Sequence, residues 1–111
     1  MSRNFGIPSA EYPNFYKGYI EKSGDSPVLE SLVINFNQTL GYIRKVPKNL
    51  WDYRYEKGKW SVKDLVLHLI DCERVFAYRA MWIARSSQAD LISFDQDEFV
   101  ANSQAENRTP N

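Results

Sequence analysis

The one histidine and the one cysteine of this chain, His68 and Cys72, stand four residues apart, with Glu73 beside the cysteine and Arg79 further on. On a helix, residues i and i+4 share a side, so an imidazole nitrogen and a thiol sulfur would meet there as two soft ligands for zinc. Three readings of His68 follow from the residues alone. It is a half-buried core histidine hydrogen-bonded to backbone or to Asp64 one turn earlier. It pairs with Cys72 as a metal ligand, although a buried free cysteine ordinarily behaves as a small hydrophobe. Or its ligand set is completed by a second copy of the chain in a symmetric dimer. Glu73 reads either as a base or partner near a metal ligand, or as a carboxylate satisfied by Tyr, Trp or Arg donors that fixes packing. The second reading of Glu73 is favoured.

The element that must position these groups runs from Trp60 to Arg85. It opens on Ser61 with Asp64 three residues later, a serine N-cap with an acidic partner, and contains neither Gly nor Pro. Helical spacing places Val62, Leu65, Val66, Leu69, Phe76, Ala80, Ile83 and Ala84 on one side, with Glu73 in its midst. His68, Cys72 and Arg79 lie on the shoulder of that side. Leu67, Ile70, Tyr78 and Met81 make the opposite side apolar too, so the helix needs several neighbours. A rod from 61 to about 87 is about 40 Å long, more than one amphipathic neighbour covers. Pairing of two long helices with two from another copy predicts a homodimer or larger assembly.

The same residues carry a resemblance. Trp60-Ser61 followed by His68-Leu69-x-Asp71-x-Glu73-Arg74 resembles the second helix of the DinB-like superfamily. The likeness extends loosely from Glu11–Ile20 to Asp95–Asn102. It implies an all-α fold, a DinB-like bundle of up to four helices. Here that means two long antiparallel helices plus short ones, completed by a second chain. It also implies a metal-dependent hydrolase or thiol-dependent transferase acting on a small molecule. In that family a histidine at the place of His68 joins a His-x-x-x-His pair from the last helix in a three-histidine site for zinc or nickel. His68 matches that ligand and is the metal-site residue the resemblance assigns; this sequence has no second histidine to match the others. The alternatives are a vestigial ligand in a truncated chain and a non-catalytic, self-associating helical module without metal. No catalytic or cofactor-binding residue beyond His68 is assigned.

The remainder supports one helical domain over 1–111, with 1–26 irregular apart from a short helix. Pro8, Pro13, Gly6, Gly18 and Gly24 argue against long structure there, while Tyr12, Phe15, Tyr16 and Tyr19 suit a short helix covering the core. Ser26 as N-cap and Pro27 in the first turn start a first long helix. Leu29, Leu32, Val33, Phe36, Leu40 and Ile43 form its narrow apolar side, and Pro47 marks its stop. In Lys48–Lys59, Trp51, Tyr53 and Tyr55 alternate with basic residues, a texture of single-strand nucleic-acid binders. Fourteen basic against fourteen acidic residues overall argue instead for a connecting loop that closes the bundle end, with Gly58 in a turn. Ser86–Ser93 reads as a loop and Asp95–Val100 as a short capped helix; its three carboxylates lack the glycine and distant Glu of a calcium loop. Thr109-Pro110 reads as the start of another helix, so the chain is expected to stop before its next element. A lone cysteine suits a reducing cytoplasm, and no segment approaches the ~20 apolar residues of a membrane span. The expected partners are therefore a second copy and a small molecule, with neither nucleic acid nor membrane.

Overall fold

A computed structural model describes residues 7–24, 26–88 and 90–110. The described residues are helical, with turns and loops and no strand, as an all-α chain requires. They fall into two compact units, residues 1–45 and 46–111.

In the first unit the prolines set the local structure. Pro8 and Pro13 each stand in extended conformation ahead of a 3₁₀ turn, Ser9–Glu11 and Asn14–Tyr16. The second turn leads into helix α1, Lys17–Lys22. Gly24, at φ +78°, lies just past the C-cap Ser23, a left-handed position that glycine takes without steric cost. The aromatics of this segment stack on one another rather than cover a core. Phe15 meets Tyr16 edge-on at 5.1 Å and Tyr19 at 6.0 Å, and all three are exposed.

Helix α2 runs Val28–Arg44. Its N-cap is Pro27, not Ser26: Pro27 is extended, and its carbonyl accepts the Ser31 N–H at 2.9 Å. Proline lacks both a side-chain acceptor and an N–H, so the cap makes no side-chain hydrogen bond. Ser26 contributes its carbonyl instead, accepting the Ser31 hydroxyl at 3.3 Å. Asp25 lies outside the described residues. The expected apolar side is present, but Leu29, Leu32, Val33 and Phe36 on it are exposed.

The second unit is built on helix α3, Val62–Arg85, about 36 Å long at about 1.5 Å per residue. Ahead of it come a 3₁₀ turn, Lys48–Leu50, and a loop that turns at Gly58, φ +79°. That loop satisfies the backbone donors that a helix start leaves without partners. The Trp51 carbonyl accepts the Lys63 N–H at 3.0 Å and the Tyr53 carbonyl accepts the Val62 N–H at 3.2 Å. Ser61 Oγ accepts the Asp64 N–H at 3.1 Å, while Asp64 Oδ2 accepts the Ser61 N–H at 2.8 Å, a complete capping box.

Beyond α3 the chain folds back along it. The Arg79 guanidinium donates to the Ile92 carbonyl at 2.6 Å, and the Trp82 indole donates to the Gln88 carbonyl at 3.2 Å. Helix α4, Gln96–Ala101, is capped by Asp95, whose carboxylate accepts the Asp97 and Glu98 N–H groups. With the 3₁₀ turn Ala105–Asn107, α4 packs against α3. Trp51, Val100 and Ala105 are the buried apolar residues among those described.

Candidate functional site

His68 sits in the first half of α3, half-buried, and its neighbours are set by helix geometry. The Cys72 sulfur lies 3.5 Å from His68 Nε2 and 3.8 Å from Nδ1, the i,i+4 meeting that the spacing predicts. On its other flank is Trp60, the residue just before the Ser61 cap, whose ring centre is 4.9 Å from that of the imidazole at a tilt of 49°. The indole therefore covers part of the imidazole, while Cys72 approaches its nitrogens. Trp60 has no assigned role in the sequence. The available signal is its place before an N-cap, where an apolar residue regularly folds onto the first turns of the helix.

The expected His68–Asp64 hydrogen bond does not form. Asp64 is committed to the cap and to Arg54, whose Nη1 lies 2.9 Å from Asp64 Oδ2. The same guanidinium also donates to the Lys59 carbonyl. Burial by itself raises the Asp64 pKa, but the hydrogen bonds from Ser61 and the Arg54 charge together outweigh it and hold the carboxyl below its ordinary 3.8. Asp64 is thus a structural anion that locks the loop to the start of α3. Lys63 adds an ion pair to Asp52 at 2.9 Å.

The Cys72 thiol is pushed up by burial first and then by the neighbouring Asp71 and Glu73 carboxylates. The thiol form is favoured and the thiolate needs a compensating cation. Glu73, read from the sequence as an inward carboxylate in a packing network, is exposed and makes no ion pair among the described residues. The cause lies in how the unit covers α3. Helix α4 lies over the side that carries Leu67, Ile70 and Arg74, with a groove of about 410 Å³ between. The side with Leu65, Leu69, Phe76 and Ile83 stays exposed, and His68 and Cys72 sit on its shoulder. Arg79 is not a partner for Glu73: it is held by the Ile92 carbonyl and lies over the Phe76 ring at 5.9 Å. Asp71 and Arg74 form the expected i,i+3 pair at 3.8 Å.

A larger groove than that one, about 980 Å³, lies elsewhere around Trp60. Tyr53, Arg54, Tyr55, Leu65, Val100 and Glu106 are among its walls, and Trp60 lines it while His68 does not. Trp60 is thus both a wall of the groove and a neighbour of the imidazole.

A family model described as the DinB superfamily matches residues 31–109. The chain belongs to the DinB superfamily. The matched span holds almost all of α2 and the whole of α3 and α4, and so includes both His68 and Cys72. No curated protein and no solved structure matches the chain. A three-histidine DinB-type metal site does not fit a single copy of this chain. It has one histidine, and no group of three His, Cys, Asp or Glu side chains among the described residues can hold a metal. What this DinB-superfamily chain does offer is one imidazole with one thiol sulfur 3.5 and 3.8 Å from its two nitrogens.

Proposed function

We propose that this chain supplies part of a divalent-metal site of a DinB-like hydrolase or thiol-dependent transferase, with His68 as a ligand to zinc or nickel and a small molecule as substrate. The observation that carries the reading is the placement of His68 at the edge of an exposed apolar side of α3, its ring against Trp60 and the Cys72 sulfur within 3.8 Å of both its nitrogens. In this reading the donors beyond these come from outside residues 1–111. A second copy in a symmetric dimer is the simplest source, and it would cover the exposed side of α3 at the same time. A metal held there would lower the pKa of a bound water or thiol. The chain's own residues orient the imidazole through Trp60 and keep the loop in place through Arg54 and Asp64. In this reading residues 1–111 act as one domain, in a reducing cytoplasm that keeps Cys72 a thiol.

The second reading is a self-associating helical module without metal, favoured by the exposed apolar residues of α2 and α3. Metal analysis of purified protein separates the two. Near-stoichiometric zinc or nickel that disappears in His68→Ala supports the first, and protein free of metal after zinc or nickel has been supplied supports the second.

A further inference from the structure

The wide groove around Trp60 plays no part in the metal reading, and its walls combine two kinds of group. Tyr53, Tyr55 and Trp60 bring three aromatic rings from the loop ahead of α3. Asp97 and Glu106 bring two carboxylates from α4 and from the 3₁₀ turn that follows it. From that combination we infer that the groove binds a free aryl-alkyl amine in its protonated form, a flat ring carrying a primary ammonium group. The inference goes beyond the metal reading and does not depend on it, since His68 does not line the groove.

Each part of such a ligand has its counterpart in the walls. A ring packs on aromatic side chains in offset or edge-on contact, and an ammonium is drawn to the faces of Trp and Tyr. Carboxylates accept its N–H groups in charge-assisted hydrogen bonds. The charges decide the sign of the ligand. Arg54 is committed to Asp64, at 2.9 Å, and to the Lys59 carbonyl. Lys59 is then the remaining cation of the walls, against Asp97 and Glu106, and none of these three joins an ion pair among the described residues. A negative excess is left, which an ammonium neutralises and a carboxylate would increase. The walls are also fixed before a ligand arrives. The Val62 N–H donates to the Tyr53 carbonyl and ties the loop to α3. On the far side Val100 and Ala105 are buried and anchor the elements that carry Asp97 and Glu106. At about 980 Å³ the groove has room for a small molecule.

Benzylamine, added at neutral pH to the full chain labelled with nitrogen-15, is the probe. Saturable shifts are expected at the Trp60 indole N–H, identified by its loss in Trp60→Leu, and at the Tyr55 and Asp97 amides. Half-saturation should fall at about 1–10 mM, as suits so small a ligand. Benzyl alcohol has the ring without the charge, butylamine the charge without the ring, and benzoate the opposite charge; each should need several-fold more. Asp97→Asn combined with Glu106→Gln should weaken benzylamine about 5-fold and leave benzyl alcohol unchanged, with circular dichroism matching wild type. Equal affinity for benzylamine and benzyl alcohol, or tighter binding of benzoate, overturns the ammonium. Equal affinity for butylamine overturns the ring, and unchanged benzylamine affinity in the double variant overturns the carboxylates. No saturable shift around Trp60 overturns the site and leaves the metal analysis of His68→Ala to decide the other reading.

Discussion

At the residue scale the chemistry of the chain comes down to an imidazole held between an indole and a thiol. The ring current of Trp60 should displace the His68 ring-proton resonances upfield, and Trp60→Leu should return them toward ordinary positions. Unmoved resonances would show that the two rings do not touch in solution. The Cys72 thiol, raised by burial and its two acidic neighbours, should react with a thiol reagent at neutral pH more slowly than a free cysteine does. The rate should climb as pH passes the ordinary thiol range. A rate equal to that of the free amino acid would contradict the raised value. The His68–Cys72 meeting is legible in the sequence because i,i+4 spacing fixes it once the helix is granted. The position of Trp60 is not, since it depends on how the chain enters the helix rather than on helical periodicity.

At the scale of elements, α3 is legible to within about two residues, and its Ser61–Asp64 capping box is present as the residue types predict. The spacing rule sees only neighbours along the helix, so it pairs Asp64 with His68 and misses Arg54, ten residues upstream in a loop. The same blindness explains Glu73. Periodicity puts it on the apolar side, but no local rule says which side the returning segment covers. At α2 the rule misplaces the cap by one residue, because Pro27 takes the extended position that Ser26 was expected to hold. Ser61→Ala should cost about 1 kcal/mol of stability, whereas Arg54→Ala should cost less, about 0–1 kcal/mol, since its half of the ion pair is well exposed. Denaturant unfolding followed by circular dichroism checks both. The pH dependence has a fixed sign. Asp64 titrates near 3.8 when unfolded and lower when folded. Its contribution is therefore complete above that value and is lost as pH falls through the folded pKa. Asp64→Asn should be less stable at neutral pH and should lose less of its stability on acidification than wild type does. Equal acid sensitivity in the two proteins would contradict that account.

At the scale of the whole molecule, the all-α DinB-superfamily architecture is legible from hydrophobic spacing and the Trp60–Arg74 pattern. What that spacing cannot tell is how much of each apolar side its own chain covers. Among the described residues no large side chain is fully buried, while Leu29, Phe36, Leu65, Phe76 and Ile83 are exposed. An exposed apolar helix side such as that of α3, with Leu65, Phe76 and Ile83 on it, marks an interaction face. Light scattering after size exclusion should give at least a dimer mass for wild type and a smaller mass for Phe76→Glu, with helicity retained. A wild-type monomer at micromolar concentration would remove the second copy from the proposal.

The backbone bonds from Trp51 and Tyr53 to the first two residues of α3 have a further consequence for motion. The opening turn of a helix ordinarily frays and trades its amide protons with solvent quickly. Here the amides of Val62 and Lys63 are tied to a stretch of chain that precedes them. They should exchange with deuterium as slowly as amides near the middle of the rod, and the loop and the rod's first turn should open together as a single cooperative unit.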